Sequence, residues 1–120
     1  MQFMALIYSN EEAWESASAA ERESTLERYF DFADRGRESG TVQGGDELGP
    51  TEAATTVRVR GDETLVTDGP YAEVKEVLGG YFMLECDSID EACELAAQIP
   101  AAERGAIEVR ATYVDTEGER

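Results

Sequence analysis

Asp68, Tyr71, Glu73, Lys75 and Glu76 crowd the short stretch that follows Thr67 and surrounds Gly69 and Pro70. They offer carboxylates, a phenol and the only lysine of the chain. Asp68 stands where an apolar run ends and a turn begins, a place where loops present side chains from a rigid sheet. A carboxylate beside a closed cavity works as a general base or acid once burial raises its pKa. The same Asp-Gly-Pro is also a natural cap, its carboxylate accepting N–H groups of the next turn. Lys75 suits a Schiff base or an anion site, or else a solvated pairing with Glu73 or Glu76.

The chain has no histidine, and its two cysteines, Cys86 and Cys93, are not a Cys-x-x-Cys pair. Histidine acid–base chemistry and structural zinc are therefore set aside, and neither a metal nor a cofactor is expected. Gly44-Gly45 and Gly79-Gly80 lack the spacing of a phosphate loop. Arginine is the remaining chemical resource. If Ile107, Val109 and Ala111 share one face of a strand, Glu108 and Arg110 occupy the other. Arg58 and Arg60 alternate with Val57 and Val59 in the same way. On a cavity wall, a guanidinium fork binds a small organic anion; at an interface it bridges strands as a salt pair. The candidate site is thus Asp68 as catalytic group, with Arg58, Tyr71, Lys75 and Arg110 as ligand-binding groups. Tyr8, Tyr29 and Tyr81 read as core or interface aromatics.

The elements that must position these groups alternate between strand and helix. Residues 2–8 form a first strand, ended by Ser9-Asn10. Asn10 caps a short turn through Trp14. Ser18-Ala19-Ala20-Glu21 is a capping box opening a helix to about Glu38, with Leu26, Tyr29, Phe30, Ala33 and Arg37 as its core stripe and Gly40 as its stop. A glycine-rich loop follows. Thr55–Arg60 and Glu63–Thr67 read as a hairpin turning at Gly61-Asp62. Pro70 is expected to start a short helical segment. Tyr81–Cys86 is the next strand, and Ser88-Ile89-Asp90-Glu91 caps a helix whose stripe is Ile89, Ala92, Cys93, Ala96 and Ile99. Pro100 stops it, and residues 106–114 form the last strand. This order predicts a single α+β domain over residues 1–120, a ferredoxin-like sandwich with an extra β-hairpin.

Helices cover only one face of such a sheet, yet both faces here are apolar. Phe3, Ala5 and Ile7 oppose Met4, Leu6 and Tyr8, while Phe82, Leu84 and Cys86 oppose Tyr81 and Met83. The second face needs a cover; a second copy of the chain would supply it, and a C-terminal tail or loop flanking the strands is the alternative. A homodimer is expected.

Charge narrows the partners further. Acidic residues number 27 against 10 basic ones, a formal net of -17, spread along the chain. Such a surface repels phosphate backbones, so no nucleic-acid partner is expected. Nine of the ten basic residues are arginine, which fits either a high-salt cytoplasm or GC-rich codon usage. No apolar run approaches the roughly 18 residues of a membrane span. The first residues lack a basic region and a cleavage site, so a cytoplasmic protein with two buried free thiols is expected.

Asp68-Gly69-Pro70-Tyr71-Ala72-Glu73 with Lys75-Glu76 resembles the hallmark segment of the DGPF subgroup of YCII-related proteins, with tyrosine in place of phenylalanine. Met4-Ala5-Leu6-Ile7-Tyr8, Glu11-Glu12 before Trp14, Ala54-Thr55-Thr56-Val57-Arg58, Ile99-Pro100-Ala101-Ala102 and Ile107-Glu108-Val109-Arg110 extend the resemblance over nearly the whole chain. The resemblance implies a dimeric α/β barrel with a pocket for small carbonyl or aromatic acids, worked by proton transfer. In the wider group it implies a histidine–aspartate pair, which a chain without histidine cannot form. It also implies an alternative role, as a non-catalytic accessory associated with an extracytoplasmic-function sigma factor.

Overall fold

A computed structural model describes residues 1–112. Its elements in chain order are β1 (Gln2–Ser9), α1 (Glu11–Ser16), α2 (Ala19–Ser39), β2 (Val42–Glu47), β3 (Thr55–Arg60), β4 (Glu63–Asp68), β5 (Val77–Glu85), α3 (Ile89–Ala96) and β6 (Ala106–Ala111). Four strands form an antiparallel sheet in the order β2-β5-β1-β6, while β3 and β4 pair only with each other. With α2 and α3 joining the strands across one face, this is a ferredoxin-like α+β sandwich with an inserted hairpin.

Local chemistry sets the helix ends. The Asn10 side chain accepts from the Ala13 N–H at 3.1 Å, Ser18 Oγ from Glu21 N–H at 3.1 Å, and Ser88 Oγ from Glu91 N–H at 3.2 Å. Gly40 closes α2 in the left-handed region at φ 81°. Phe3, Ala5, Ile7, Leu84 and Cys86 project from the sheet toward Phe32, Ala92, Ala96 and Ile99, and together they make the core. Phe32 meets Phe82 edge to face at 5.0 Å between centroids.

Several expectations need correction. The glycine-rich loop after Gly40 contains a strand, β2, which sequence alternation does not reveal because only Val42 is buried in it. Glycine has a steric purpose there: a Cβ at Gly45 would lie 2.4 Å from the Tyr81 carbonyl oxygen. The buried face of α2 runs through Phe32, Ala33 and Gly36, leaving Leu26 and Phe30 exposed. Gly36 lets the helix sit close to Val42 while Phe32 fills the core, and Leu26 and Phe30 lie beside the contact. Residues 70–76 form no helix, Pro70 notwithstanding. Cys86 is buried but Cys93 is exposed. The last strand ends at Ala111, and the expected continuation to 114 passes out of the described residues.

Gly36 supports a prediction. Alanine in a helix interior is ordinarily worth about 1 kcal/mol over glycine. Here the added Cβ would meet Val42 Cγ2 at 2.1 Å and Val42 Cβ at 2.7 Å. Gly36→Ala should therefore destabilise the chain by roughly 1–3 kcal/mol, as overpacking does. Urea unfolding checks this, and a gain in stability would contradict the packing of α2 on β2.

Among the described residues, the ion pairs are Met1 ammonium with Glu85, Arg28 with Glu103, Arg35 with Asp31 and Arg37 with Asp34. Most carboxylates thus face water without a cation. Screening at molar potassium chloride should raise the unfolding temperature by several degrees more than for a charge-balanced protein of similar size. Equal shifts in the two proteins would contradict this.

Candidate functional site: the open face of the sheet

The face of the sheet turned away from α2 and α3 is set by register. Asp46, Tyr81, Leu6 and Glu108 form one cross-strand row, and Gly44, Met83, Met4 and Arg110 form the next. Met4, Leu6, Tyr81 and Met83 are half-buried, while Glu108 and Arg110 are exposed at the β6 edge. The Tyr8 hydroxyl donates to Glu108 Oε1 at 3.4 Å, a long bond between diagonal neighbours on β1 and β6. Arg110 has no carboxylate partner among the described residues. The floor is therefore apolar, with a phenol–carboxylate pair and the Arg110 guanidinium along one side. That combination supplies an apolar surface, a guanidinium fork suited to an anion and a carboxylate able to accept a proton.

The other candidate residues lie elsewhere. Arg58 projects from the β3–β4 hairpin, which stands apart from the four-stranded sheet, so it does not share the open face as alternation suggested. Its guanidinium lies over the Tyr71 ring, 5.4 Å from the centroid, so these two ligand-binding candidates do meet. Tyr71 is otherwise 79% exposed. Asp68 ends β4 opposite Thr55, and among the described residues its carboxylate accepts no hydrogen bond. The base of the hairpin is closed without it: Gly69 N–H donates to the Ala54 carbonyl at 2.7 Å, and the Thr56 hydroxyl donates to the Gly69 carbonyl at 2.8 Å. Strand alternation puts Asp68 on the hairpin face of Val57 and Val66, opposite that of Arg58. Lys75 is exposed and has no ion pair with Glu73 or Glu76.

The Tyr8–Glu108 pair was not legible before the strand order was known. Both residues could be assigned to the open face, but only the β1–β6 neighbourhood makes them partners. Glu11 is a second group found only in three dimensions. It accepts from the Thr51 hydroxyl at 2.5 Å and the Thr51 N–H at 2.9 Å, which tie the loop before β3 to α1. The hydroxyl first and the N–H second hold its carboxyl below the usual range. Burial pushes the Cys86 thiol up, which makes it a poor nucleophile. A shallow apolar hollow of about 200 Å³, lined by Cys93, Ala96, Ala97, Ala102, Ile107 and Val109, lies on the helical side, away from every candidate group. Among the described residues no cluster of histidine, cysteine, aspartate and glutamate is suited to a metal ion.

Fold and face together define a ferredoxin-like α+β protein with an open, partly apolar sheet. The chain belongs to the YCII-related family: the YCII-related domain matches residues 1–114. An uncharacterized protein of Rhizobium meliloti (strain 1021) is 34% identical over 121 residues, spanning 99% of this chain and 98% of that one. Among solved structures, the 5-chloro-2-hydroxyhydroquinone dehydrochlorinase TftG of Burkholderia phenoliruptrix AC1100, in complex with 2,5-dihydroxybenzoquinone, matches with a TM-score of 0.53. That alignment covers 99% of this chain and 100% of the other at 14% identity, a likeness of fold.

Proposed function

We propose that two copies of this chain pair through their open sheet faces and enclose a metal-free pocket for a small anionic organic molecule, with enzyme-like proton transfer as its chemistry. The observation that carries this reading is Arg110, a guanidinium with no carboxylate partner among the described residues, beside Met4 and Met83 on a half-buried apolar face. Arg110 binds the negative group, and Glu108, two residues along the same strand face, exchanges the proton. A small ring with acidic oxygens, the class to which the neighbour's 2,5-dihydroxybenzoquinone belongs, fits the flat floor. No feature of the geometry favours the alternative of a sigma-factor accessory.

Thermal unfolding over a panel of small organic acids, with 2,5-dihydroxybenzoquinone and benzoate included, tests the pocket. The screen belongs in molar salt, where the repulsion of an anion by a chain of net charge -17 is screened. At least one compound should raise the unfolding temperature by a few degrees at saturating concentration. Arg110→Ala should abolish that rise while leaving the unliganded protein within about 0.5 kcal/mol of its starting stability, since the side chain is exposed. No shift with any compound, or equal shifts in the variant, would remove the pocket from this face.

A further inference from the structure

The β3–β4 hairpin is half-finished as a single chain presents it. Two strands alone are marginally stable in water, and among the described residues no other helix or strand packs broadly against these two. One of its faces carries Val57 opposite Val66 and Val59 opposite Thr64. The three valines are 60%, 65% and 60% exposed in the order Val57, Val66, Val59. The strand β3 also has an unusual charge. Thr55–Arg60 holds two arginines and no acid, in a chain whose net charge is -17. Among the described residues neither arginine has a carboxylate partner, and Arg60 donates only to the Val59 carbonyl at 3.0 Å.

We propose that this hairpin is an arm that lies on a second copy of the chain. It buries the Val57–Val59–Val66 face there, and Arg58 and Arg60, which project from the opposite face, reach round the hairpin edge to carboxylates at the margin of the contact. Charge is compatible with that occupant: β3 itself carries two arginines and no acid in a chain of net charge -17, although the turn and β4 add Asp62, Glu63 and Asp68. Area agrees. The chain exposes 8605 Å², against roughly 6,400 Å² for a compact protein of its mass. Subtracting the most that residues 113–120 could expose still leaves an excess on the order of 1,000 Å². A standard interface takes roughly 800 Å² from each partner. Two-fold pairing satisfies both unpartnered surfaces, open sheet and arm, with one symmetry operation. Asp68 shares the valine face, so the arm carries it toward the partner. The arm rests on the pairing proposed above only in that the same second copy receives it.

Cysteine footprinting separates the two surfaces. In full-length protein carrying Cys93→Ser, a single thiol is introduced by Val66→Cys on the arm or by Met83→Cys on the sheet. Labelling by a maleimide is followed from micromolar down to nanomolar protein. The proposal predicts that the Val66→Cys thiol reacts at least tenfold more slowly in concentrated than in dilute protein. Val66→Cys reacting at the same fast rate throughout, with Met83→Cys protected, would overturn the arm and leave the sheet pairing standing. Protection at Val66→Cys alone would support the arm and overturn the sheet pairing. Fast labelling at both positions at every concentration would overturn both.

Discussion

Leu6→Glu should convert the protein to a folded monomer. Leu6 sits at the centre of the open face, flanked by Tyr81 on β5 and Glu108 on β6. In one chain the side chain is only half-buried, so a carboxylate there finds water and the fold survives. In a face-to-face pair the same carboxylate is desolvated beside Glu108, without a cation in its row. Two-fold symmetry puts the substitution into the interface twice. The dimer dissociation constant should rise at least 100-fold, about 3 kcal/mol. Sedimentation over a concentration series, with circular dichroism to establish folding, reads this directly. A folded variant that associates like the parent would place the interface elsewhere.

Leu84→Ala should have the largest effect on folding. Leu84 is fully buried, and its backbone lies between Phe3 on β1 and Val42 on β2. Those neighbours belong to central and edge strands that the helices already clamp, so the site collapses poorly around a cavity. A loss of about 2–5 kcal/mol is expected, enough to lower the unfolding temperature by roughly 10 °C or more. The arm offers the internal contrast. Val66→Ala, at a position 65% exposed in the single chain, should change monomer stability by no more than about 0.5 kcal/mol. Comparable losses at the two positions would mean that the arm is packed within its own chain.

Much of the fold is written in local chemistry, and that part was legible. Asn10, Ser18 and Ser88 announce helix starts because a short polar side chain can reach an unsatisfied N–H. Gly40 announces a stop, and Gly61-Asp62 joins strands that pair from Arg60–Glu63 to Thr55–Asp68. Features set by tertiary contact were not legible. β2 is an edge strand whose Gly45 serves the close approach of Tyr81 and in which only Val42 is buried, so it carries no alternating pattern. α2 meets the sheet through Phe32, Ala33 and Gly36, a narrow face that counting large apolar side chains misses, since Leu26 and Phe30 are exposed. At the site, alternation alone put Arg110 on the open face. It could not supply the Tyr8–Glu108 bond, which depends on strand order, nor the stacking of Arg58 on Tyr71. It also suggested that Arg58 and Arg110 share a wall, whereas the hairpin forms a sheet of its own.

The central claim is that the open face is completed by a second copy. Light scattering from the unmodified protein at micromolar concentration, in molar potassium chloride, tests it most directly. The account predicts twice the chain mass of 13.1 kDa. A clean monomer under those conditions would contradict it.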